Sequence, residues 1–505
     1  MDARCRIGGL VLGRLRRAAG LAATVSVAAA IGVTGCSTLV KGHGSSMLYD
    51  PFHVGGLPAV DGPSGPRSDA PEPTGTVKNT NHGDEDKLAL LSLNDIQEFW
   101  QHSYSQSFPG SFRPVEDLTS YDSDDPASPV VCHERTYKLV NAFFSPRCNL
   151  IAWDRGVLIP TGKTYFGPMP VTGIFAHEYG HAIQQMAKIV HRATSTIVRE
   201  QQADCLGGVY MRWVAEGKSP RFTLSTGDGL DHVLAGLIDI RDPILTPEDQ
   251  ELTDEGHGTA LDHVSAFQMG FVSGAPACAA IDENEVKQRR GDLPIALTYD
   301  RSGRLETGEV PITEQTMSAL MDTLGSIFSP KSPPQLSYSP GGCADAQTSP
   351  PASYCPATNT IAVDLAQLQK MGAPADEQSG HVLIQGDDTA MSVVMSRYVL
   401  AVQHERGLKL DSPVSALRTA CLTGVAHRKM ASPAALPSDN GLSLTAGDLD
   451  KAVAGLLTNH LVASDVNGQT VPAGFTRITA FRSGVVSTND DMCYQRFPDS
   501  TPSPS

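Results

Sequence analysis

The segment from Ile174 to Gln184 reads I-F-A-H-E-Y-G-H-A-I-Q and contains the pattern H-E-x-x-H, formed by His177, Glu178 and His181. On a helix, His177 and His181 lie four residues apart on one face, so both imidazoles can reach the same metal ion. Glu178 lies beside them, close to a water molecule on that metal. The segment therefore predicts a helix that carries two zinc ligands and a general base.

A third ligand is expected on a neighbouring element, and the next acidic residue along the chain is Glu200. A helix over about 171–191, followed by a turn and a returning helix over about 196–215, would bring Glu200 back towards the two histidines. Asp204 lies four residues further on and faces the same way. Its carboxylate can accept a hydrogen bond from the free ring nitrogen of a ligand histidine and so orient that ring.

The first 36 residues have the pattern of an export signal. Five arginines precede an apolar run from about Ala18 to Val33, and the run ends in V-T-G-C with Cys36 in the last position. This ending resembles the lipobox of bacterial lipoproteins. We expect residues 1–35 to be a lipoprotein signal peptide and Cys36 to anchor the chain to the outer face of the cell membrane. The alternative is an ordinary cleaved signal peptide followed by an incidental cysteine.

The chain is acidic. Residues 1–35 contain five Arg and one Asp, so their removal changes the formal net charge from −16 to −20. This charge argues against nucleic acid and anionic lipid headgroups as partners. No later stretch is apolar enough over sufficient length to span a bilayer. The segment 36–87 is rich in Gly, Pro, Ser, Asp and Asn, has no apolar periodicity, and is predicted to be a flexible tether.

The chain also contains an internal repeat. Four segments of its second part echo segments of its first part in the same order: 354–364 with 146–154, 420–425 with 204–209, 444–457 with 224–238, and 479–484 with 265–270. Four matches in order argue against coincidence. They predict one domain over 88–285, a copy of it over 290–496 and a disordered tail over 497–505.

Eight cysteines remain besides Cys5 in the signal and Cys36. In an exported protein they suggest four disulfides, and eight cysteines allow 105 pairings. The repeat makes one pairing the simplest: Cys132 with Cys148, Cys205 with Cys278, Cys343 with Cys355, and Cys421 with Cys493. Cys205 could instead be a thiolate metal ligand. Cys421 persists where the metal ligands are lost, which favours a disulfide.

Alignment of Cys205 with Cys421 gives an offset of 216 residues between the halves. The five polar residues proposed for the metal site are then replaced in the second half by Val393, Val394, Arg397, Ala416 and Ala420. The second half is therefore predicted to bind no metal and to retain a structural or binding role.

Two motifs of the first half, H-E-Y-G-H at 177–181 and E-x-x-A-D-C at 200–205, resemble the bacterial neutral zinc metallopeptidase family, and within it mycobacterial lipoprotein peptidases. The segments 148–154, 257–259 and 266–270 also look like that family. The resemblance covers most of the chain and is specific in the first half only. It implies one Zn²⁺ ion held by His177, His181 and Glu200, with water as the fourth ligand and Glu178 as general base.

Other residues near these motifs carry weaker predictions. His257 or Tyr165 could donate a hydrogen bond to the oxyanion, on the basis of position alone. The strand 150–154 either presents an edge to an extended peptide or is kept for packing. Tyr179 is expected to pack, and Gly180 to admit another backbone closely. Three histidines are expected at the surface or at helix ends: His191, His232 and His263.

We therefore predict a mainly helical α+β protein, with a zincin-like metallopeptidase domain of active-site helix and short strands followed by a degenerate duplicate. The predicted activity is zinc-dependent hydrolysis of peptide or protein substrates outside the membrane, without a nucleic acid partner. Two alternatives stay open: a cell-surface binding or scaffold lipoprotein with marginal hydrolysis, and a zinc amidase acting on cell-wall peptide. Zinc content tests the first alternative, and cleavage of muropeptides but not of unfolded proteins would select the second.

Overall fold

A computed structural model describes residues 49–249, 256–299, 302–339, 342–377, 382–432, 442–489 and 491–499. The predicted signal peptide and Cys36 lie outside these described residues. Helices predominate and the sheets are small, so the chain is a mixed α+β protein, as predicted. In the described part of the chain no helix combines the length and apolarity needed to cross a membrane.

The helices of the first half are α1 (Asp84–Ser107), α2 (Leu158–Tyr165), α3 (Pro168–Ala187), α4 (Thr196–Ala215), α5 (Asp228–Asp239), α6 (Ala260–Ser273), α7 (Ala275–Ala279) and α8 (Glu283–Arg290). The helix α4 has the predicted bounds. The helix α3 ends before the predicted end at His191, because Lys188 adopts a left-handed backbone conformation (φ 55°) and its N–H bonds back to the last turn.

The strands of the first half are β1 (His53–Val54), β2 (Leu57–Pro58), β3 (Gly65–Pro66), β4 (Val77–Lys78), β5 (Asp117–Tyr121), β6 (Val130–Val131), β7 (Glu134–Arg135), β8 (Ala142–Ser145), β9 (Leu150–Asp154) and β10 (Phe222–Thr223). The largest sheet has the order β4-β5-β9-β8, with β9 parallel to β5 and antiparallel to β8. Every residue of β9 is buried. Of the two alternatives for 150–154, the edge strand is wrong and the strand kept for packing agrees with the structure. The edges of this sheet are β4 and β8, and β8 packs on α3.

Residues 49–87 pack on the rest of the protein. Val54 is fully buried, β3 pairs with β10, and β4 joins the main sheet. Arg212 donates to the carbonyl of Gly55 and Thr476 to that of His53, each at 2.7 Å, so the segment touches both halves. The prediction of a flexible tether is wrong for these residues. Main-chain hydrogen bonds hold them, and such bonds leave no apolar pattern in the sequence.

The second half contains the helices α9 (Glu314–Phe328), α10 (Leu365–Met371), α11 (Asp387–Glu405), α12 (Pro413–Met430), α13 (Asp448–Thr458), α14 (Gly474–Val486) and α15 (Met492–Arg496). Its sheet has the order β11 (Gln335–Ser337), β13 (Thr360–Val363), β12 (Ala352–Cys355). The predicted disordered tail is wrong for residues 497–499. Phe497 is buried in the core, and Asp499 lies 2.9 Å from the guanidinium of the buried Arg418.

The four disulfides join the predicted pairs, and the prediction is confirmed. The longer bridge of each half spans 73 or 72 residues and ties the helix α4 or α12 to a later helix. Two helices also meet closely in each half: a Cβ on Gly208 of α4 would lie 2.2 Å from the carbonyl of Phe267, and a Cβ on Gly424 of α12 would lie 2.1 Å from that of Phe481. Only glycine permits this approach.

The described residues of both halves belong to one compact unit. The helix α13 of the second half packs against α5 and α6 of the first, and α14 packs against the same two helices. The two halves therefore share an extensive helical interface.

Candidate metal centre

His177, His181 and Glu200 converge on one point between α3 and α4. Glu200 Oε2 lies 3.2 Å from His177 Nε2 and 3.4 Å from His181 Nε2, and one donor atom from each residue lies within 4.8 Å of the others. Tetrahedral zinc about 2.0–2.1 Å from each donor separates the donors by about 3.3–3.4 Å. These three residues therefore form a group that could hold a metal ion, and the two spacings are compatible with tetrahedral coordination.

The second ring nitrogen of each histidine is held by an oxygen that fixes the ring. His177 Nδ1 lies 2.8 Å from Asp204 Oδ1, and His181 Nδ1 lies 3.1 Å from Gln184 Oε1. Because both oxygens accept, each ring donates its proton from Nδ1 and directs Nε2 towards the shared point, where a metal ion could replace the Nε2 proton. The role of Gln184 was not predicted. Its spacing of three residues after His181 on the same helical face is the signal that could have indicated it.

Asp204 is also held from a third helix. Its Oδ2 lies 2.7 Å from Nδ1 of His263 on α6, and His263 is 1% exposed. His263 was expected at the surface or at a helix end; it lies near the start of α6 but is buried, so the surface alternative is wrong, whereas His191 and His232 are exposed as expected. Since two histidines bind its two oxygens, the Asp204 carboxylate is held against rotation away from His177.

The loss of His263 in the second half is the sequence signal that could have identified it. The repeat that matches 265–270 with 479–484 places Arg477 at the position of His263. His263 is buried, and the second half replaces it together with the candidate metal ligands. This pattern associates His263 with the metal centre rather than with the helix packing that both halves share.

The neighbouring charges shift the pKa values of the site. Burial lowers the pKa of His177, but Asp204 and Glu200 outweigh burial and leave that pKa well above its ordinary value. The pKa of His181 is also raised, because Glu200 outweighs the effect of burial. Burial raises the pKa of Glu200, yet its two histidine partners bring the pKa far below the ordinary range. The site therefore carries an ionised carboxylate and attracts a cation, which would take the place of ring protons.

Glu178 lies against the free edge of the main sheet. Its Oε2 accepts a hydrogen bond of 2.8 Å from the backbone N–H of Phe144 on β8. Burial raises the pKa of Glu178, and this effect outweighs the opposing influence of His177, His181 and the Phe144 N–H. A carboxyl group with a raised pKa is suited to accept a proton and to return it.

His257 and Tyr165 differ in their surroundings. His257 precedes α6, and its Nδ1 lies 3.4 Å from Asp242 Oδ1. The hydrogen bond to Asp242 raises the pKa of His257, burial lowers it, and Glu200 also raises it, so His257 lies within electrostatic reach of the metal donors. Tyr165 ends α2 with its side chain 48% exposed. These surroundings favour His257 over Tyr165 as a donor to a substrate oxygen, and both roles stay predictions.

In the second half, packed side chains occupy the position that corresponds to the candidate metal centre. Its small and branched residues are fully buried: Val393, Val394, Ala416 and Ala420. Arg397, at the position of His181, is fully buried and donates from Nε to the carbonyl of Ala352 at 2.9 Å and from Nη1 to Ser464 Oγ at 2.8 Å. Arg397 thus makes hydrogen bonds to the protein at the position where the first half has a candidate metal ligand.

No family model, no curated protein and no solved structure matches this chain. Two imidazoles and one carboxylate are the donor set of catalytic zinc sites that keep a fourth position for water or substrate. The orienting contacts of Asp204 and Gln184 are those that such ligands require.

The two middle residues of the motif pack as expected. Tyr179 is fully buried, and its hydroxyl accepts a hydrogen bond of 3.1 Å from the N–H of Val115. A Cβ on Gly180 would lie 2.9 Å from the carbonyl oxygen of Ala203. Glycine at this position thus brings α3 close enough to α4 for Glu200 to reach the histidines.

Proposed function

We propose that the chain is a zinc-dependent peptidase that acts outside the cell membrane. The observation that carries the proposal is the convergence of His177, His181 and Glu200 on one point, with Glu178 beside them at a free sheet edge. The resemblance of the two sequence motifs to the bacterial neutral zinc metallopeptidase family supports the same activity. The zincin-like fold of the first half is part of this proposal.

The side chains of the centre have separate roles in this proposal. His177, His181 and Glu200 would hold zinc, which would polarise a substrate carbonyl and lower the pKa of water to about 7. Glu178 accepts a proton from the attacking water and returns it to the leaving amine, and its raised pKa supports this role. His257 donates a hydrogen bond to the carbonyl oxygen as negative charge develops there.

The edge strand β8 supports a peptide as the substrate. An extended peptide can add to a free strand edge through main-chain hydrogen bonds. Since the Phe144 N–H is bonded to Glu178, the edge of β8 faces the general base. A peptide on this edge would have its backbone beside the atoms that act on it.

We also infer that the second half is a degenerate copy of the first. The helices α11, α12 and α14 follow one another as α3, α4 and α6 do, and α12 packs on α14 as α4 packs on α6. The long disulfides and the glycine contacts recur in corresponding places. The second half retains the helix packing, the disulfides and the glycine contacts, and it lacks the metal ligands.

The same proposal includes export and a lipid anchor on Cys36. Four disulfides support an oxidising compartment. The test is labelling of the wild type and Cys36→Ser with a fatty-acid analogue in a lipoprotein-processing host. We expect label on the wild type alone, and label on neither protein would contradict the anchor.

Peptide-library digestion tests the proposed activity. Full-length protein is incubated with an unbiased peptide library, with and without a chelator, beside Glu178→Gln at equal zinc occupancy. We expect cleavage by the wild type that the chelator abolishes and that the variant lacks. Zinc binding without cleavage would favour a binding or scaffold protein, and cleavage of muropeptides alone would favour the amidase. Equal cleavage by the variant would contradict the role of Glu178.

A further inference from the structure

The two halves cap each other's helices in a reciprocal way. Asp450 on α13 accepts a hydrogen bond of 2.9 Å from the N–H of Ala260, the first residue of α6 in the first half. Asp231 on α5 accepts one of 2.8 Å from the N–H of Gly474, the first residue of α14 in the second half. Asp231 and Asp450 occupy matching places in the repeated segments. A carboxylate at a helix N-terminus satisfies an otherwise free N–H and complements the helix dipole.

The two capped helices carry different residues. Three residues after Ala260, α6 carries His263, which binds Asp204 and through it the predicted metal ligand His177. Three residues after Gly474, α14 carries Arg477, whose guanidinium binds Asp231 at 3.0 Å. The cap from Asp450 therefore acts on a helix that reaches the metal centre. The cap from Asp231 acts on a helix whose Arg477 binds Asp231 and backbone carbonyls of the second half, and none of these partners belongs to the metal centre.

Asp450 also contacts the chain that leads to His257. Its Oδ2 lies 3.7 Å from Nε of Arg241, which is largely buried and binds Glu377 of the second half at 2.7 Å. The next residue, Asp242, is tied to Gly258 by two hydrogen bonds, of 3.0 Å and 2.7 Å, and lies 3.4 Å from His257. The Asp450 carboxylate of the second half thus contacts two segments of the first half. One is the start of α6, which carries His263, and the other is the segment at Arg241, which leads through Asp242 to His257.

We propose that Asp450 is a positioning residue through which the second half holds α6, and with it His263 and Asp204, in the geometry that zinc binding requires. The proposal rests on the metal centre of the proposed function but not on peptide hydrolysis. It gives the metal-free half a defined role. Thr259 and Asp262 form a capping box at the start of α6, so loss of Asp450 frees the Ala260 N–H alone. The first turn of α6 can then shift, which loosens the support that His263 gives to Asp204.

The matched pair Asp450→Ala and Asp231→Ala tests the proposal. Each variant removes one reciprocal cap from the same interface, so both are expected to lower the melting temperature. Only Asp450→Ala is expected to weaken zinc affinity, by about three- to five-fold, because it loosens the support that His263 gives to Asp204 without removing it. Asp231→Ala is expected to stay within about two-fold of the wild type. Zinc affinity is measured by chelator competition and the ligand geometry by the visible spectrum of the Co²⁺-loaded protein.

Conservative variants separate positioning from general stability. Asp450→Asn retains an oxygen that can accept from the Ala260 N–H, and it is expected to restore most of the zinc affinity and the wild-type cobalt spectrum. Hydrogen exchange in the metal-free protein gives a further readout. We expect faster exchange at the start of α6 in Asp450→Ala but not in Asp231→Ala. If Asp450→Ala does not fold, Asp450→Glu and Asp231→Glu, which keep the charge and displace it by one methylene, are compared in the same way.

Equal effects of the two substitutions on zinc affinity would overturn the proposal, as would an unchanged affinity and spectrum in Asp450→Ala. Either outcome would mean that Asp450 is a contact between the halves that does not position the metal centre. Because these readouts do not involve peptide cleavage, an absence of hydrolysis in the wild type would count against the proposed activity and leave this inference untouched.

Discussion

The two halves of the chain differ in what their central helix pair does with its buried polar groups. In the first half, Asp204 and Gln184 bind the outer nitrogens of two histidines, and the inner nitrogens stay directed at Glu200. In the second half, Arg397 is directed at a backbone carbonyl and a serine hydroxyl. Helix packing and disulfides are alike in both, so the frame does not depend on the metal ligands. Under the proposed function, the residues that differ are those that hold the metal and act on the substrate.

The largest expected difference between the halves concerns Glu178, the proposed general base. Glu178→Gln is expected to lower kcat for peptide cleavage by about 10²–10⁴-fold, because proton transfer by a positioned carboxylate contributes about this much. Zinc occupancy should be unchanged, since Glu178 is not among the three donors. The matched control is Val394→Ala, the corresponding position of the second half, which should lower stability and leave kcat intact. A comparable loss of kcat in that control would remove the distinction between the halves.

Asp204→Ala introduces the residue that the second half has at this position. We expect zinc affinity to fall by about 10–100-fold, because His177 loses the partner that fixes its ring. Competition with a chromogenic chelator measures the change. Asp204→Asn, which still offers one oxygen, should lose less. An affinity equal to that of the wild type in both variants would show that His177 needs no orienting carboxylate.

Zinc affinity is expected to depend on pH through the two histidines. Their folded pKa values are raised, whereas that of Glu200 is lowered, so protons compete with zinc at the rings and not at the carboxylate. As the pH falls through the raised values, affinity should fall by about ten-fold per pH unit for each histidine that becomes protonated. Zinc titrations between pH 6 and pH 8.5 provide the measurement. A pH-independent affinity would contradict the assigned ligands.

The same pKa shifts predict the stability of the metal-free protein. A histidine whose folded pKa is raised stabilises the fold fully below its unfolded pKa of about 6.5, and this contribution is lost as the pH rises through the folded value. The melting temperature of metal-free wild type should therefore fall over that range relative to a variant lacking both histidines, His177→Val with His181→Ala.

The smallest expected effect concerns His263. His263→Leu should weaken zinc binding by about three- to ten-fold, because Asp204 keeps its bond to His177 but loses its second support. His263→Asn, whose amide N–H can replace the Nδ1 donor, should restore the affinity. If the two variants are equally impaired, His263 contributes by packing alone.

The local pattern of the sequence predicts the centre of the site well. Spacing along two helices is sufficient to place His177, His181, Glu200 and Asp204 together, because a helix converts sequence distance into direction. The repeat is sufficient to predict all four disulfide pairings, because the cysteines of one half correspond in order and spacing to those of the other.

Contacts between distant segments account for what the sequence does not predict. The edge position of β8 depends on strand order, and nothing within 150–154 encodes its neighbours. The packing of residues 49–87 rests on main-chain hydrogen bonds, which any residue except proline can donate. His263 reaches Asp204 from a helix 59 residues further along the chain, and only its replacement by Arg477 carries a sequence signal.

The zinc content of the purified chain tests the central claim most directly. Full-length wild type and the variant Glu200→Ala are dialysed against limiting zinc, and bound metal is counted per chain by mass spectrometry. Alanine is the residue at the corresponding position of the second half. We expect one zinc ion per wild-type chain, and little or none in the variant at the same protein concentration. Absence of zinc from the wild type, or equal zinc in both proteins, would contradict the assignment of His177, His181 and Glu200 as a metal centre.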